Sequence, residues 1–330
     1  MTKQNWSELS TLKLLCQAKE QSILRIMENF LQTKYTNVIA KPEYIIAEGN
    51  IPVALVAHAD TVLRQPPKSF YYDAEQSVLW TSEGLGADDR AGIYAIIKIL
   101  KTSKLRPHII ITTGEEIGCV GAAALTSKMP QFPWELKFLI QLDRHGERDA
   151  VFYECGNEDF KQFISLFDFD VWRGPTSFSD ISELGPAWDT AAVNFSIGYY
   201  NEHTRAEYLN LRQMNTTIKK VKFLLDYVAE HSELEQWDYQ NITLNRNNTC
   251  AFCGCQLTDN DYINYRYEND PEPIIHSMCQ ECYDFVGSHV VFCDECYQVW
   301  LTDEPHKMSD RWICPECKKN KGANNEDKSK

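Results

Sequence analysis

The 330-residue sequence lacks an excess of basic residues. It contains 33 Lys and Arg against 47 Asp and Glu, a formal net charge of −14 at pH 7. Nucleic acids and anionic membrane surfaces are bound mainly through clustered Lys and Arg side chains. The composition therefore argues against both as partners, and we expect neither nucleic-acid nor membrane binding.

The sequence also lacks long apolar runs. No stretch approaches the roughly 20 apolar residues that span a bilayer. The first ten residues, MTKQNWSELS, have no basic stretch followed by an apolar one, as a secretory signal would have. The expectation is a soluble cytoplasmic protein, whose 43% hydrophobic residues suffice for a sizeable core in one large domain or two.

Cysteine is scarce in the first three quarters of the chain and abundant afterwards. Nine of the 12 cysteines lie between residues 250 and 317. Eight of these nine form four C-x-x-C pairs: Cys250 with Cys253, Cys279 with Cys282, Cys293 with Cys296, and Cys314 with Cys317. Without a secretory signal, paired thiols at this spacing indicate zinc ligands rather than disulfides. The pairs predict two structural zinc ions, and the spacing leaves open which pairs share an ion.

This distribution predicts three regions: a catalytic domain over residues 1–240, a zinc module over 241–318 and a disordered tail over 319–330. Residues 246–330 contain nine Lys and Arg against 15 Asp and Glu. Because so acidic a segment binds phosphate poorly, we expect a protein partner of the zinc module rather than nucleic acid.

Apolar runs of strand length alternate with helical patterns in the first 240 residues. Buried strands are predicted at residues 53–57, 108–112, 137–142 and 191–197, and helices at 7–31, 91–100, 120–127 and 208–230. This alternation predicts an α/β fold with a mixed, largely parallel central sheet and helices on both faces, followed by the small C-terminal zinc-binding module.

Acidic residues and histidines follow the predicted strands. They are His58 and Asp60, Asp88 and Asp89, Glu115 and Glu116, Asp143, and His203. Singly, each has a structural interpretation, such as a helix N-cap or a solvated turn. Together at one edge of a sheet, they would concentrate negative charge that bound cations would compensate. The joint pattern predicts a metal site, since nitrogen and carboxylate oxygen are zinc ligands.

Five strings in the sequence carry a family resemblance: VAHAD, GLGADDRAGI, TTGEEIGCVGA, IQLDRHG and SIGYYNEHTRAEY. In this order they resemble the five metal-site motifs of the co-catalytic di-zinc metallo-exopeptidases. That superfamily includes peptidase T-like tripeptidases, glutamyl aminopeptidase-like enzymes and leucyl aminopeptidase-like enzymes. The resemblance covers roughly residues 50 to 230 and implies two catalytic zinc ions, or cobalt or manganese in their place.

The resemblance also implies roles for individual residues. His58 and Asp143 resemble the terminal ligands of one metal, and Glu116 and His203 those of the other. Asp88 matches the bridging carboxylate. Glu115 matches the general base and Asp60 the carboxylate that orients the first histidine, so that these two are the predicted catalytic residues.

Two features depart from the superfamily. The C-terminal cysteine module is absent from the familiar relatives, and the gaps from Asp60 to Asp88 and from Asp143 to His203 are too short for an inserted lid domain. A residue that relatives borrow from the lid to polarise the substrate carbonyl must therefore be replaced locally. The candidates for this substrate contact are Tyr199, Tyr200 and His145.

The resemblance implies metal-dependent hydrolysis of a peptide substrate at a free terminus, by an aminopeptidase or a di/tripeptidase. The carboxylates of Asp180, Glu183 and Glu202 are candidates for binding the α-amino group, and Arg90 and Arg144 are interpreted as balancing charge beside the ligands. Two alternatives stay open. One is an amidohydrolase that deacylates small N-acyl substrates, and the other is a non-catalytic protein whose zinc module mediates interactions.

Overall fold

The computed structural model describes residues 3–172, 178–232, 234 and 236–238, together with four strands beyond residue 260. Its contacts divide the chain into two compact units, Met1–Gln240 and Asn241–Lys330. No helix in the described part of the chain is long and apolar enough to cross a membrane.

Seven helices and 12 strands lie in the described residues of the first unit. The helices are α1 (Lys3–Gln17), α2 (Glu20–Gln32), α3 (Ala87–Thr102), α4 (Val120–Lys128), α5 (Glu158–Ser165), α6 (Asp180–Ala187) and α7 (Leu211–Glu230). The strands are β1 (Val38–Ala40), β2 (Tyr44–Ala47), β3 (Ile51–His58), β4 (Tyr71–Asp73), β5 (Val78–Trp80), β6 (Pro107–Thr112), β7 (Phe138–Arg144), β8 (Asp149–Val151), β9 (Asp170–Val171), β10 (Ala192–Ser196), β11 (Tyr199–Tyr200) and β12 (Tyr208–Asn210).

The central sheet has eight strands in the order β1-β2-β6-β3-β7-β10-β8-β9. Its middle strands β6, β3, β7 and β10 are parallel, whereas β1, β2 and β8 join by antiparallel pairing. The four middle strands are the four predicted from the apolar runs. Because they are parallel, their carboxyl ends meet at one edge, which is where open α/β sheets bind ligands.

Helices cover both faces of this sheet. Along β3, Val53, Leu55 and Ala57 belong to one core cluster, and the alternating Ala54 and Val56 belong to a second. The first cluster is covered by α1, α2, α3, α5 and α7, and the second by α4 and α6. Strands buried on both faces read as continuous apolar runs. The fold class predicted from the sequence is therefore confirmed for this unit.

The prediction of one helix over residues 7–31 is wrong in one respect, because this segment forms two helices, α1 and α2. The chain is extended at Lys19, with a ψ of 153°, between α1 and α2. At this break the carbonyl of Ala18 accepts a hydrogen bond from Nη2 of the buried Arg90, at 3.2 Å. The break thus supplies an acceptor to a guanidinium that lies 72 residues away in sequence, which local periodicity does not predict.

The helix predicted over residues 208–230 begins three residues later, because Tyr208–Asn210 pair with Val78–Trp80 as strand β12. Helix α7 then starts at Leu211, where the side chain of Asn210 accepts hydrogen bonds from two backbone N–H groups. Strand β12 belongs to a second, antiparallel sheet in the order β11-β12-β5-β4. In this structure the segment between Asp60 and Asp88 contains two short strands of that sheet, β4 and β5.

The described part of the second unit is a four-stranded sheet. Its strands are β13 (Tyr262–Tyr267), β14 (His276–Cys279), β15 (Val290–Phe292) and β16 (Val299–Leu301), in the order β14-β13-β16-β15. The cysteine pairs of this region do not predict these four strands.

The predicted zinc ligands of the second unit fall almost entirely outside the described residues. Cys279 is the last residue of β14. The other seven paired cysteines lie outside the described residues, and they are Cys250, Cys253, Cys282, Cys293, Cys296, Cys314 and Cys317. The predicted tail 319–330 lies outside them as well. The zinc module and its two structural ions therefore stay a prediction.

Helix α4 closes tightly over the turn that follows strand β6. The backbone N–H of Gly121 donates to the carbonyl of Thr113 at 2.7 Å. A Cβ added at Gly121 would lie 2.5 Å from that same carbonyl oxygen and 2.6 Å from the carbonyl oxygen of Glu43. Both neighbours are backbone atoms, so a side chain at this position displaces the turn that leads to Glu115 and Glu116.

We expect Gly121→Ala to lower the free energy of unfolding by about 1–3 kcal/mol, the usual cost of overpacking. Helix propensity alone predicts the opposite, a gain of about 1 kcal/mol. Urea denaturation followed by circular dichroism measures the difference. The matched control is Ala123→Gly on the exposed side of α4, which should cost about 1 kcal/mol by propensity. An unchanged or increased stability of Gly121→Ala would contradict the close approach.

Candidate metal centre

The five predicted metal ligands lie together at the carboxyl edge of the parallel strands. They form two groups that share one member. His58, Asp88 and Asp143 offer donor atoms within 4.8 Å of one another, and so do Asp88, Glu116 and His203. His58 is the last residue of β3, and Asp143 lies in β7. Asp88 lies in the first turn of α3, Glu116 follows β6, and His203 follows β11.

Asp88 stands between the two histidines. Its Oδ1 lies 3.2 Å from Nε2 of His58, and its Oδ2 lies 3.1 Å from Nε2 of His203. Burial raises the pKa of the Asp88 carboxyl, but hydrogen bonds from the two histidines outweigh it, so that the pKa is below its usual value. Because its two oxygens face two different histidines, this carboxylate has the geometry of a bridge between two cations.

His58 is fully buried and oriented by carboxylates on both sides of its ring. Its Nε2 lies 3.4 Å from Oδ1 of Asp143, and its Nδ1 lies 3.3 Å from Oδ1 of Asp60. Burial lowers the pKa of His58, but the surrounding carboxylates, led by Asp143, raise it well above its usual value. The backbone N–H of His58 donates to Oδ2 of Asp89 at 3.2 Å.

Asp60 connects the first histidine to the turn that carries two other site residues. Its Oδ1 accepts a hydrogen bond from the backbone N–H of Glu115 at 3.2 Å, and its Oδ2 accepts one from Glu116 at 3.1 Å. The carboxylate that faces His58 therefore also fixes the backbone at both glutamates. Nδ1 of His58, 3.3 Å from Asp60, accepts or donates no hydrogen bond among the described residues, and the orienting role of Asp60 stays a prediction.

The adjacent residues Glu115 and Glu116 have different surroundings. Oε2 of Glu116 lies 2.9 Å from Nε2 of His203, whereas Oε2 of Glu115 lies 3.9 Å from Nε2 of His58. Burial, followed by the charge of Asp143, raises the pKa of Glu115 to about 9. Glu116 is thus placed among the ligand atoms, and Glu115 lies beside them with a carboxyl group that holds a proton easily.

Asp143 is held by hydrogen bonds that the sequence did not reveal. Its Oδ2 accepts from Ser179 Oγ and Gln141 Nε2, each at 3.1 Å, and its Oδ1 accepts from the hydroxyl of Tyr199 at 3.2 Å. Its backbone N–H donates to Oδ1 of Asn194 at 2.8 Å. Burial and the nearby Asp88 raise the pKa of the Asp143 carboxyl to about 7, against the lowering effect of the His58 charge.

Glu207 is a further site residue that the sequence analysis missed. It is buried and accepts hydrogen bonds from three consecutive backbone N–H groups, those of Gly86 at 2.6 Å, Ala87 at 2.7 Å and Asp88 at 3.1 Å. Burial raises its pKa to about 7 although these bonds oppose the shift. Glu207 fixes the loop that presents Asp88. The one signal in the sequence was its place in the string with His203, four residues earlier.

A cavity of about 230 Å³ opens over these groups. Two of the three predicted substrate contacts, His145 and Tyr199, line it. The third, Tyr200, is not among the lining residues: its hydroxyl donates to Gln213 at 2.9 Å and its ring stacks on Tyr208. Tyr199 and Tyr200 differ because neighbouring side chains of a β-strand face opposite sides of the sheet.

The carboxylates considered for the α-amino group also occupy different places. Glu202 lines the cavity and pairs with Nδ1 of His145 at 2.6 Å, and this hydrogen bond lowers its pKa. Asp180 is fully buried against the hydroxyl of Thr112, and Glu183 is exposed. Of the three, Glu202 is the one that a ligand in the cavity can reach.

The donor set fits two divalent cations. Each group combines one imidazole nitrogen with carboxylate oxygens, which is a common ligand set of zinc. Burial first, and neighbouring carboxylates after it, raise the pKa values of Asp143 and Glu115. Cations at the two groups would supply the missing positive charge.

Comparison with known proteins shows a shared fold. No protein-family model matches the chain, and no curated protein matches its sequence. Aminopeptidase PepT from Bacillus cereus superposes with a TM-score of 0.54 at 13% identity, covering 67% of this chain and 98% of that one. A tripeptidase from Staphylococcus aureus gives 0.55 at 14%, covering 68% and 98%. A TET aminopeptidase from a marine sediment thaumarchaeote gives 0.56 at 12%, covering 69% and 99%. The chain therefore has the fold of solved aminopeptidase and tripeptidase structures.

Proposed function

We propose that the protein is a metal-dependent peptidase that hydrolyses the peptide bond next to a free terminus, as an aminopeptidase or a di/tripeptidase. The observation that carries this proposal is the position of Asp88, whose two oxygens face His58 and His203 while Glu115 lies beside them. The shared fold with aminopeptidase and tripeptidase structures supports it.

The residues that would hold two zinc ions, or cobalt or manganese, are those of the two groups. His58 and Asp143 would hold one ion, Glu116 and His203 would hold the other, and Asp88 would contribute to both groups. When bound, such a pair of ions lowers the pKa of a water molecule and polarises the scissile carbonyl.

The remaining steps fall to side chains of the chain itself. Bound cations would lower the pKa of Glu115 and so ionise it at neutral pH. As the carboxylate, Glu115 acts as general base: its Oε2 accepts the proton of the attacking water and returns it to the leaving amine. Asp60 holds the ring of His58 from the Nδ1 side, which leaves Nε2 directed at the ligand group. Glu202, which lines the cavity, receives the α-amino group of the peptide.

An amidohydrolase that removes an acyl group from small N-acyl substrates would use the same residues. A screen of aminoacyl substrates and short peptides against N-acyl amino acids, with and without chelator, separates the two activities. Chelator-sensitive cleavage of peptides with a free amino group supports the proposal. Cleavage of N-acyl amino acids alone would contradict it, and so would the absence of any hydrolysis, which favours the non-catalytic alternative.

Glu115→Gln and Glu116→Gln should have different effects. If Glu115 is the base, its glutamine variant retains both cations and loses about 10²–10⁴ in turnover. Glu116→Gln replaces a carboxylate ligand by an amide and should lower metal occupancy. Elemental analysis of each purified variant, combined with its turnover, measures both effects. A metal-depleted Glu115→Gln with a fully loaded Glu116→Gln would show that the two roles are exchanged.

Metal binding should release protons. Hydrogen bonding to Asp88 raises the pKa of His203 to about 9, and the pKa of Asp143 is raised to about 7, so both carry protons in part or in full at pH 7 without metal. Ligands bind metals in their deprotonated form, so apparent affinity should rise as the pH increases through about 7 and then through about 9. Titration calorimetry in buffers of different ionisation enthalpy counts the protons. A binding enthalpy that is independent of the buffer would contradict this assignment.

Metal content should distinguish the two units. We propose that the four C-x-x-C pairs hold two structural zinc ions, so that the full chain contains four. A chain ending at Gln240 retains Trp237, whose ring stacks on Phe163 at 4.5 Å, and should fold and hold two. Elemental analysis and turnover of both chains test this. Two zinc ions in the full chain, both lost on truncation, would contradict the metal site in the first unit. A soluble, metal-loaded but inactive truncated chain would show that the removed segment contributes to catalysis.

A further inference from the structure

Arg144 occupies an unusual position in the acidic cavity. It is the last residue of β7, it follows the ligand Asp143 directly, and it lines the cavity. Its backbone is fixed, because its carbonyl accepts a hydrogen bond from the N–H of Ile197 at 2.8 Å. A cationic side chain is therefore held within reach of any ligand that enters the cavity.

The guanidinium of Arg144 is not fully hydrogen-bonded within the described residues. It lies over the ring of Trp172, 5.4 Å from the centroid, and its buried Nε has no hydrogen-bond partner. Within the described residues it forms no ion pair, although carboxylates line the same cavity. By contrast, Arg148 on the surface pairs with Asp168 at 2.7 Å and Asp170 at 3.0 Å.

This arrangement does not fit a residue that only balances charge. An arginine with that role pairs with the carboxylates around it, whereas the cation–π contact to Trp172 holds this guanidinium without satisfying its donors. Leaving a buried donor unsatisfied costs free energy. No described residue supplies the acceptor that would complete Arg144, and a ligand bound in the cavity that it lines can supply one.

A guanidinium presents a planar fork of N–H donors that matches a carboxylate with two parallel hydrogen bonds. We propose that Arg144 binds a carboxylate of the substrate and thereby selects peptides that carry one close to the scissile bond. This inference rests on the proposed peptidase function. The cavity of about 230 Å³ is smaller than the roughly 300–1,000 Å³ of ligand pockets in general, which favours a short substrate.

The carboxylate has two chemical sources, the free C-terminus of a dipeptide and an acidic side chain. Two substrate pairs distinguish them on the zinc-loaded full chain. Leu-Ala against Leu-Ala-amide tests the C-terminus, and Glu-p-nitroanilide against Gln-p-nitroanilide tests the side chain. In one pair we expect the carboxylate-bearing member to be preferred by about tenfold or more in kcat/KM, the range of a hydrogen bond to a charged group. Equal rates within both pairs would overturn the proposal.

Substitution of Arg144 gives a second test. Arg144→Gln should abolish the preference by slowing the carboxylate-bearing substrate about tenfold or more, while the neutral substrate stays within about threefold. Arg144→Lys keeps the charge without the fork and should retain part of the preference. The matched control, Arg148→Gln, removes a surface arginine and should leave both rates unchanged.

The outcomes separate this inference from the function on which it rests. If Arg144→Gln slows both members of a pair equally, Arg144 is structural and the inference is wrong. If the glutamine variant does not fold, the two wild-type substrate pairs and Arg144→Lys decide. If the metal-loaded wild-type chain hydrolyses no peptide at all, the proposed function fails first, and no substrate preference can then be attributed to Arg144.

Discussion

The concentration of carboxylates at one buried sheet edge is the constraint on which the rest of the site depends. Asp88 sits between His58 and His203, and burial, followed by the charges of neighbouring carboxylates, raises the pKa of Asp143 and Glu115. Burying like charges together is unfavourable unless cations or protons compensate them. The same repulsion that makes this edge costly in the metal-free protein would favour the proposed binding of divalent cations.

Other carboxylates stabilise this edge through the backbone rather than through cations. Glu207 accepts three backbone N–H groups, Asp60 accepts two, and Asp89 accepts those of His58 and Gly92. The bonds to Glu207 and Asp60 fix the turns that carry Asp88 and Glu116, and the bonds to Asp89 join the end of β3 to the first turn of α3. Charge therefore serves two purposes at the site, because some carboxylates direct oxygens at the ligand groups while others hold the backbone that positions them. Loss of Glu207 would displace Asp88 without removing any ligand atom.

The sequence predicted the parts of this arrangement that are local. Continuous apolar runs identified the four parallel strands, and short strings at their ends contained the five residues of the two ligand groups. It did not predict Ser179 and Asn194, whose contacts with Asp143 join residues 36 and 51 positions apart. The break between α1 and α2 was missed as well, and there the carbonyl of Ala18 accepts a hydrogen bond from Arg90, which belongs to another helix. Such contacts exist only after the chain has folded, so no periodicity or spacing encodes them.

The chain segments between the predicted ligands are short, so we expect the residues that select a substrate to lie close to the ligands. The segment that precedes Asp88 forms two strands of the small sheet, and the inner side of that sheet brings the hydroxyl of Tyr199 onto Asp143. The cavity lining includes residues that neighbour the predicted ligands in sequence, such as Arg144 and Glu202. When recognition groups and metal ligands share the same strand ends, a change in one shifts the other. The proposed selectivity would consequently depend on the geometry of the proposed metal centre.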